Sequence, residues 1–278
     1  MSSYTLAYSP CPNDTYVFAA LTNGLLEDAP EVRVRLADID ELNDFAARAA
    51  FGLTKVSYGA IPFLMDRYRI LSAGGALGNG CGPLLVARPS SAPEHFSECL
   101  HKRIAIPGER TTAFMLLQIA LGGRPKVVPM RFDRIIPAVA AGEVDAGLII
   151  HESRFTYRDA GLIAIADLGE WWENMTLLPI PLGAIVVRDD VGTTEAKVLN
   201  DAIRRSLAFA RANDEAVMPY VRAHAVEMSD DVMRSHIALY VNEFTEDLGH
   251  RGRDAVHALF ERARDAGVLR REAQPRFV

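Results

Sequence analysis

The feature that most constrains the fold of this chain is a short apolar run that ends abruptly in a histidine. Turn-forming residues at 141–143 lead into the apolar run at 146–150, and His151 and Glu152 follow it directly. An apolar run of about four to eight residues between turn signals is typical of a fully buried strand in a parallel sheet. Because ligands bind beyond the carboxyl ends of such strands, we expect His151 to lie at a ligand crevice.

An imidazole in that position is suited to proton transfer. Its ordinary pKa is close to neutrality, and we expect the pKa of His151 to stay there, as a general base requires. The structural alternative is a histidine whose ring is satisfied by backbone groups at a strand end, and position alone leaves both open. Glu152 has two interpretations as well, a second acid/base or a partner that orients the loop.

The composition is that of a globular protein with one large domain or two modest ones. The 278 residues are 49% hydrophobic and 24% charged, with a formal net charge of -6 and basic residues scattered along the chain. This pattern predicts neither a nucleic-acid surface nor a basic membrane patch. The first residues have no basic, apolar leader, and no apolar run reaches the roughly 18 residues that span a bilayer, so we expect a cytoplasmic protein.

The cysteines and most histidines show no spacing that predicts a metal site. Cys11, Cys81 and Cys99 are odd in number and form no CxxC pair, so neither a disulfide framework nor a zinc site is indicated. Cys11 is either a reactive thiol at a helix start or a small buried side chain. Four histidines near the C-terminus lie among charged residues and are expected on solvated helix faces; they are His224, His236, His250 and His257.

Two strand–turn–helix units have the same pattern. The first has a strand at 4–8 and a helix running to residue 21, with Asn13 or Asp14 as its N-cap. The second has a strand at 103–106 and a helix at 113–121, with Thr111 or Thr112 as its N-cap. Helix N-termini present free N–H groups, so the two units predict a site for a carboxylate where they face each other.

The remaining chain predicts further strands and a helical C-terminal region. Strands are expected at 31–36, 55–58 and 127–131, and helices at 40–51, 135–141, 194–212, 229–244 and 251–266. The glycine-dense loop at 72–82 fits no phosphate-binding motif and favours a bend or a close approach of backbone to ligand. Trp171 and Trp172 either cover an aromatic ligand or belong to the core.

Two similar strands bracket the central part of the chain. The segments 82–88 and 183–188 both begin with glycine, continue with apolar residues and end in arginine. The simplest topology is one domain inserted into another: residues 1–87 and 189–278 form the larger α/β domain and 88–188 the smaller. This is the type II periplasmic-binding-protein-like fold, in which two crossover strands join the domains and the ligand cleft lies between them.

Several strings of the sequence resemble one family. They are found in order at 9–15, 53–58, 72–78, 110–113 and 147–157, and the resemblance extends from about residue 4 to 278. The strings Ser-Pro-Cys-Pro-Asn-Asp-Thr and Gly-Leu-Ile-Ile-His-Glu-Ser-Arg-Phe are the most specific of them. The chain is similar to the 1,4-dihydroxy-6-naphthoate synthases of the futalosine route to menaquinone.

The resemblance implies a reaction and a set of site residues. Cyclic dehypoxanthine futalosine, a small carboxylate, would be converted to 1,4-dihydroxy-6-naphthoate with loss of a dihydroxyacetone fragment and without a cofactor. His151 matches the proton acceptor of the family. The residues that match its substrate-contacting segments are Lys55, Val56, Ser57, Thr111 and Thr112, and Asn43 is a further expected contact.

Two other functions fit the same fold. The first is a related chorismate dehydratase of the same pathway, which a chorismate assay would identify. The second is a non-catalytic protein that binds a small carboxylate, which would show binding without turnover. The sequence does not determine the oligomeric state.

Overall fold

The structure, a computed structural model, describes residues 4–151, 153–225, 229–269 and 274–278, which form two mixed sheets flanked by helices. Glu152 therefore lies outside the described residues. The strands are β1 (Tyr4–Tyr8), β2 (Val32–Leu36), β3 (Leu53–Ser57), β4 (Tyr68–Ile70), β5 (Ala76–Gly78), β6 (Leu84–Ala87), β7 (Arg103–Ile106), β8 (Lys126–Pro129), β9 (Ala146–Ile149), β10 (Ile163–Asp167) and β11 (Ile180–Arg188). The helices are α1 (Pro12–Thr22), α2 (Ile39–Ala47), α3 (Thr112–Leu121), α4 (Phe132–Ala141), α5 (Ser153–Thr156), α6 (Leu168–Thr176), α7 (Thr193–Ala212), α8 (Asp214–His224), α9 (Asp230–Tyr240), α10 (Glu243–Glu246) and α11 (Gly249–Asp265).

The first sheet has the order β2-β1-β3-β11-β4, and β5 also pairs with β11. β1 runs parallel to β2 and β3, whereas β11 runs antiparallel to β3, β4 and β5. The end of the chain lies along β4, where the Ile70 N–H donates to the Arg276 carbonyl at 2.7 Å and the Val278 N–H to the Ile70 carbonyl at 3.0 Å. The helices α7 and α8 pack with α1 on one face of this sheet.

The second sheet has the order β10-β6-β9-β7-β8, with β9 in its centre. All four residues of β9 are buried, which confirms the strand predicted before His151. Gly147 allows the helix α4 to pack closely on this strand, because a Cβ at Gly147 would lie 2.5 Å from Ile135 Cγ2. The carboxyl end of β9 therefore has a fixed place in the middle of the sheet.

The chain passes between the two sheets twice, directly before β6 and directly before β11. β6 pairs with β9 and β10 of the second sheet, and β11 pairs with β3, β4 and β5 of the first. The passages therefore adjoin the two glycine-started strands rather than coinciding with them. β6 belongs to the second sheet and β11 to the first. The expected bounds at 87/88 and 188/189 assign β6 to the larger domain and β11 to the smaller one, so each bound differs from the change of sheet by one strand.

The helix N-termini follow the predictions in two places and differ in a third. Thr111 caps α3 by accepting the Phe114 N–H, and Ser229 caps α9 by accepting the Val232 N–H. The prediction that Asn13 or Asp14 caps α1 is wrong. The helix begins at Pro12, whose fixed φ suits the first helical position, so both side chains lie within the first turn.

Where the chain first passes between the sheets, the backbone of Gly82 lies in tight contact with the backbone of Gly169. A Cβ on Gly82 would lie 2.2 Å from Gly169 Cα and 2.3 Å from Gly169 N. The Arg154 guanidinium stabilises this contact, because it donates to the Gly82 carbonyl at 2.6 Å and to Asp167 Oδ2 at 2.6 Å. A side-chain movement could not make room for a Cβ on Gly82, because the nearest atoms belong to the Gly169 backbone.

We therefore expect Gly82→Ala to lower the free energy of unfolding by about 2–3 kcal/mol, the usual cost of overpacking a buried site. Gly52→Ala is the matched control, since its Cβ would meet only Val191 Cγ2 at 3.4 Å, an ordinary contact. That control should change the free energy of unfolding by less than about 1 kcal/mol. Urea denaturation followed by circular dichroism measures both, and equal stability of the two variants would contradict the packing described.

Candidate active site

A cleft lies where the carboxyl ends of β1, β3 and β9 approach one another. Its walls come from the turn after β1, the start of α1, the loop 76–83, the start of α3 and Tyr240 of α9. The two helix N-termini expected to face one ligand, those of α1 and α3, both contribute residues to it.

Five of the seven predicted site residues line the cleft, and these are His151, Lys55, Ser57, Thr111 and Thr112. Val56 does not, because side chains alternate along β3 and Val56 points into the core on the opposite face. Asn43 is buried behind Ser57. Its Oδ1 accepts the Ser57 N–H at 2.9 Å, and its Nδ2 donates to Ser57 Oγ at 3.4 Å and to the Arg110 carbonyl at 3.5 Å. Asn43 therefore fixes the end of β3 rather than lining the cleft.

Lys55 forms a buried ion pair on the floor of the cleft. Its Nζ donates to Asp14 Oδ1 at 2.7 Å and to the Gly74 carbonyl at 3.1 Å, and both charged side chains are at most 5% exposed. The other oxygen of Asp14 accepts the Ser9 hydroxyl at 2.7 Å, and Asn13 Nδ2 donates to Oδ1 at 2.9 Å. A buried ion pair persists when further hydrogen bonds satisfy its polar atoms, and both carboxylate oxygens of Asp14 have such partners. Among the described residues, two of the three ammonium N–H groups of Lys55 have partners, and the third can serve a ligand.

The start of α3 is held against β3 and β11 by direct contacts. Thr112 Oγ1 accepts the Gly59 N–H at 3.0 Å and donates to the Leu182 carbonyl at 2.8 Å. Gly59 is required at this contact, since a Cβ there would lie 2.6 Å from the Thr111 carbonyl oxygen. The N–H groups of Thr112 and Ala113 begin the helix at the cleft wall, where they can bind an anion.

His151 lies in the turn after β9, with its ring at the cleft. Its φ is 56°, a left-handed conformation that is uncommon for a residue other than glycine and concentrates at functional sites. The ring meets the Phe132 ring edge-on at a centroid distance of 5.2 Å. Burial lowers the pKa of His151 to about 4, with Asp14 opposing the shift and Lys55 adding to it. The pKa therefore lies below the expected value near neutrality, although His151 is half-buried at the cleft and not sealed in the core.

His236 overturns one prediction made for the C-terminal histidines. The exposed positions of His250 and His257 confirm that prediction for those two, but His236 is fully buried on α9. Its ring centroid lies 6.4 Å from that of His151 and 4.6 Å from that of Tyr240. Burial lowers the pKa of His236 to about 3, and the neighbouring His151 lowers it further. The charged residues around His236 in the sequence lie on the other faces of the helix.

Several residues that line the cleft were not predicted from the sequence. Tyr240 is far from the other site residues in the chain, and its hydroxyl donates to the Cys81 carbonyl at 3.3 Å. Cys81 is a buried thiol at the cleft, and burial raises its pKa to about 12, so it is not a ready nucleophile. Asp14 was interpreted as a helix cap. The one available signal was the spacing of His236 and Tyr240, four residues apart on one helix face.

The other candidates lie away from the cleft. Trp172 is completely buried and its indole N–H donates to the Pro179 carbonyl at 3.1 Å, which confirms the core interpretation for this residue. Cys11 is buried at the start of α1, and neither it nor Trp171 is among the described residues that line the cleft. Within the described ranges, no group of three or more His, Cys, Asp or Glu side chains could hold a metal ion. None of the helices described there is long and apolar enough to cross a membrane.

The fold is shared with known structures. A crystal structure of a protein from Archaeoglobus fulgidus matches with a TM-score of 0.88 and 36% identity, covering 96% of this chain and 98% of that one. A Candida albicans protein described as exhibiting the generic periplasmic-binding-protein fold matches with a TM-score of 0.70 over 98% of this chain and 92% of that one. At 12% identity the second match shows the fold alone. The predicted periplasmic-binding-protein-like class is confirmed.

Sequence comparison is more specific. A family model described as menaquinone biosynthesis matches residues 4–265. A 1,4-dihydroxy-6-naphthoate synthase of Thermus thermophilus is 48% identical over 280 residues, which covers 100% of both chains. A second, from Streptomyces coelicolor, is 46% identical over 276 residues, covering 97% of this chain and 96% of that one. The chain therefore belongs to the 1,4-dihydroxy-6-naphthoate synthase family of menaquinone biosynthesis.

Proposed function

We propose that the cleft converts cyclic dehypoxanthine futalosine to 1,4-dihydroxy-6-naphthoate, a lyase reaction that releases a dihydroxyacetone fragment, with His151 as the general base. The observation that carries the proposal is the position of a neutral imidazole opposite a lysine and a helix N-terminus in one cleft. A base and two groups that attract anions are what proton removal from a carboxylate substrate requires.

Burial keeps His151 in the form that can accept a proton. With a pKa of about 4, the free enzyme holds the ring neutral at physiological pH. A carboxylate substrate in the cleft would bring a negative charge near the ring and raise the pKa of His151, since an opposite charge favours the imidazolium. The base therefore becomes stronger once the substrate has bound.

The substrate carboxylate has a site at the start of α3. The N–H groups of Thr112 and Ala113 and the positive end of the helix dipole favour a negative charge there. Thr111 and Thr112 hold this helix end in place through the bonds already described. The remaining N–H of Lys55 can stabilise negative charge that develops on an oxygen during the reaction.

The chemistry follows from these placements. His151 takes a proton from carbon, and the electron pair of that C–H bond enters the ring that becomes aromatic. The carbon–carbon bond to the sugar-derived fragment breaks, and its electron pair leaves with that fragment as an enediolate. The fragment becomes dihydroxyacetone by taking a proton on carbon, which the His151 imidazolium can return. Ser57, at the end of β3, can donate a hydrogen bond from its hydroxyl to a substrate oxygen, since Asn43 supplies a donor to Ser57 Oγ.

His151→Asn tests the base directly. Asparagine is among the few residues that adopt the left-handed conformation readily, so the φ of 56° at this position can be kept. We expect the rate of product formation to fall by roughly 10²–10⁴-fold, the usual contribution of a general base. Product is followed by absorbance and mass after incubation with cyclic dehypoxanthine futalosine and no added cofactor.

The control is substrate affinity, measured by calorimetry on the same variant, which should stay within a few-fold of the wild type. Near-normal turnover by His151→Asn would remove His151 from the mechanism. Binding without turnover by the wild-type protein would instead identify a carboxylate-binding protein. Turnover of chorismate and not of the futalosine derivative would identify a dehydratase.

Ser57→Ala tests the substrate contact at the end of β3. We expect KM to rise about 5- to 13-fold, because a hydrogen bond of roughly 1–1.5 kcal/mol is lost. Thr54→Val is the matched control: it removes a buried hydroxyl from the same strand, and Thr54 Oγ1 has no hydrogen-bond partner among the described residues. Steady-state kinetics give the KM of both variants, and an unchanged KM for Ser57→Ala would exclude a contact between Ser57 and the substrate.

A further inference from the structure

We infer that His236 is a positioning residue that fixes the orientation and the tautomer of His151 through a single bridging polar atom. The inference rests on the proposed role of His151 as the base. A base that takes a proton through one ring nitrogen needs its other nitrogen held, because that second contact decides which nitrogen carries the proton. Within the described part of the chain, the His151 ring meets the rings of Phe132 and His236, and neither contact is a hydrogen bond.

His236 has hydrogen-bonding capacity that the protein does not use. The side chain is 0% exposed, and neither Nδ1 nor Nε2 has a hydrogen-bond partner among the described residues. A buried polar group without a partner costs about 1–3 kcal/mol, so such a residue in a protein core calls for an explanation. A phenylalanine of similar shape would avoid that cost.

The distance between the two histidine rings fits one bridging atom. Their centroids are 6.4 Å apart, with 30° between the ring planes. Ring nitrogens lie roughly 1.2 Å from the centroid, so the closest nitrogens cannot approach nearer than about 4 Å, which is too long for a direct hydrogen bond. Two hydrogen bonds of about 2.9 Å that meet at one oxygen span a gap of roughly 4–5.5 Å. A buried water molecule meets this requirement.

The surroundings of His236 hold its ring in place for this contact. Tyr240 lies one helical turn further along α9, with its ring centroid 4.6 Å from that of His236. The Tyr240 hydroxyl is tied to the Cys81 carbonyl at the cleft wall. His236, Tyr240 and the cleft are thus connected through these ring and hydrogen-bond contacts, and the charged groups that act on His151 are Asp14 and Lys55.

The test compares His236→Phe, which keeps the ring shape and removes both nitrogens, with His236→Gln, which keeps one amide near the position of Nε2. His257→Phe makes the same change at an exposed histidine of α11 and serves as the control. The tautomer of His151 is read from its side-chain ¹⁵N chemical shifts, assigned with His151→Asn. Turnover of cyclic dehypoxanthine futalosine gives kcat and KM, and circular dichroism checks the fold.

We expect one neutral tautomer of His151 in the wild type and in His257→Phe, and a mixture of both tautomers in His236→Phe. In that variant kcat should fall about 10- to 100-fold with KM within about three-fold of the wild type, the range seen when a supporting hydrogen bond is lost. His236→Gln should recover part of kcat. An unchanged tautomer and an unchanged kcat in a folded His236→Phe would overturn the inference.

The proposed function and this inference fail in different ways. Full activity of His151→Asn would refute His151 as the base, whatever the tautomer measurement shows. A change of the His151 tautomer in His236→Phe is visible without any turnover and would still establish the contact between the two histidines. Loss of kcat in His236→Phe with no change of the His151 tautomer would mean that His236 does not act through His151, and would overturn the inference.

Discussion

Exclusion of water at the junction of the two sheets is the constraint on which the site depends. It lowers the pKa of His151 to about 4, and it makes the ion pair between Lys55 and Asp14 necessary, because neither charge could remain alone there. The same exclusion strengthens every electrostatic interaction between the cleft and a charged substrate. The lowered pKa of His151 and the pairing of Lys55 with Asp14 are thus two results of one physical cause, burial at the junction.

The junction is closed by backbone contacts that only glycine permits. Gly59 meets the backbone of Thr111, and Gly82 meets that of Gly169, each at a distance that leaves no room for a Cβ. These contacts bring the start of α3 against the end of β3 and set β6 beside α6. The polar residues proposed to act on the substrate and the glycines that let the backbones meet are therefore different residues, and the cleft needs both sets.

Much of this arrangement was predictable from the sequence. Periodicity and turn residues located β1, β7, α3 and α7 closely, and the apolar run before His151 is a buried strand as expected, although its sheet is mixed and not parallel. The family resemblance indicated Lys55, Val56 and Ser57 together; because side chains alternate along β3, Lys55 and Ser57 reach the cleft and Val56 points to the core. These features depend on neighbours in sequence, and for that reason local patterns reveal them.

Features that depend on distant parts of the chain were not predictable in the same way. His236 is surrounded by charged residues in the sequence, and only the packing of α9 against the cleft shows that its own side chain is buried. Asp14 had the pattern of a helix cap until its partner, Lys55, came from a different strand. The pKa of His151 was misjudged for the same reason, since burial is a property of the assembled sheets.

The measurement that tests the central claim most directly is an NMR titration of the His151 side chain, assigned by its loss in His151→Asn. Because the pKa is lowered, the neutral form persists as pH falls and the imidazolium appears only near the lowered pKa. The account predicts no protonation of His151 between about pH 5 and 8, and a midpoint near 4 if the fold survives the acid. A midpoint at or above about 6.5, the ordinary value, would contradict it.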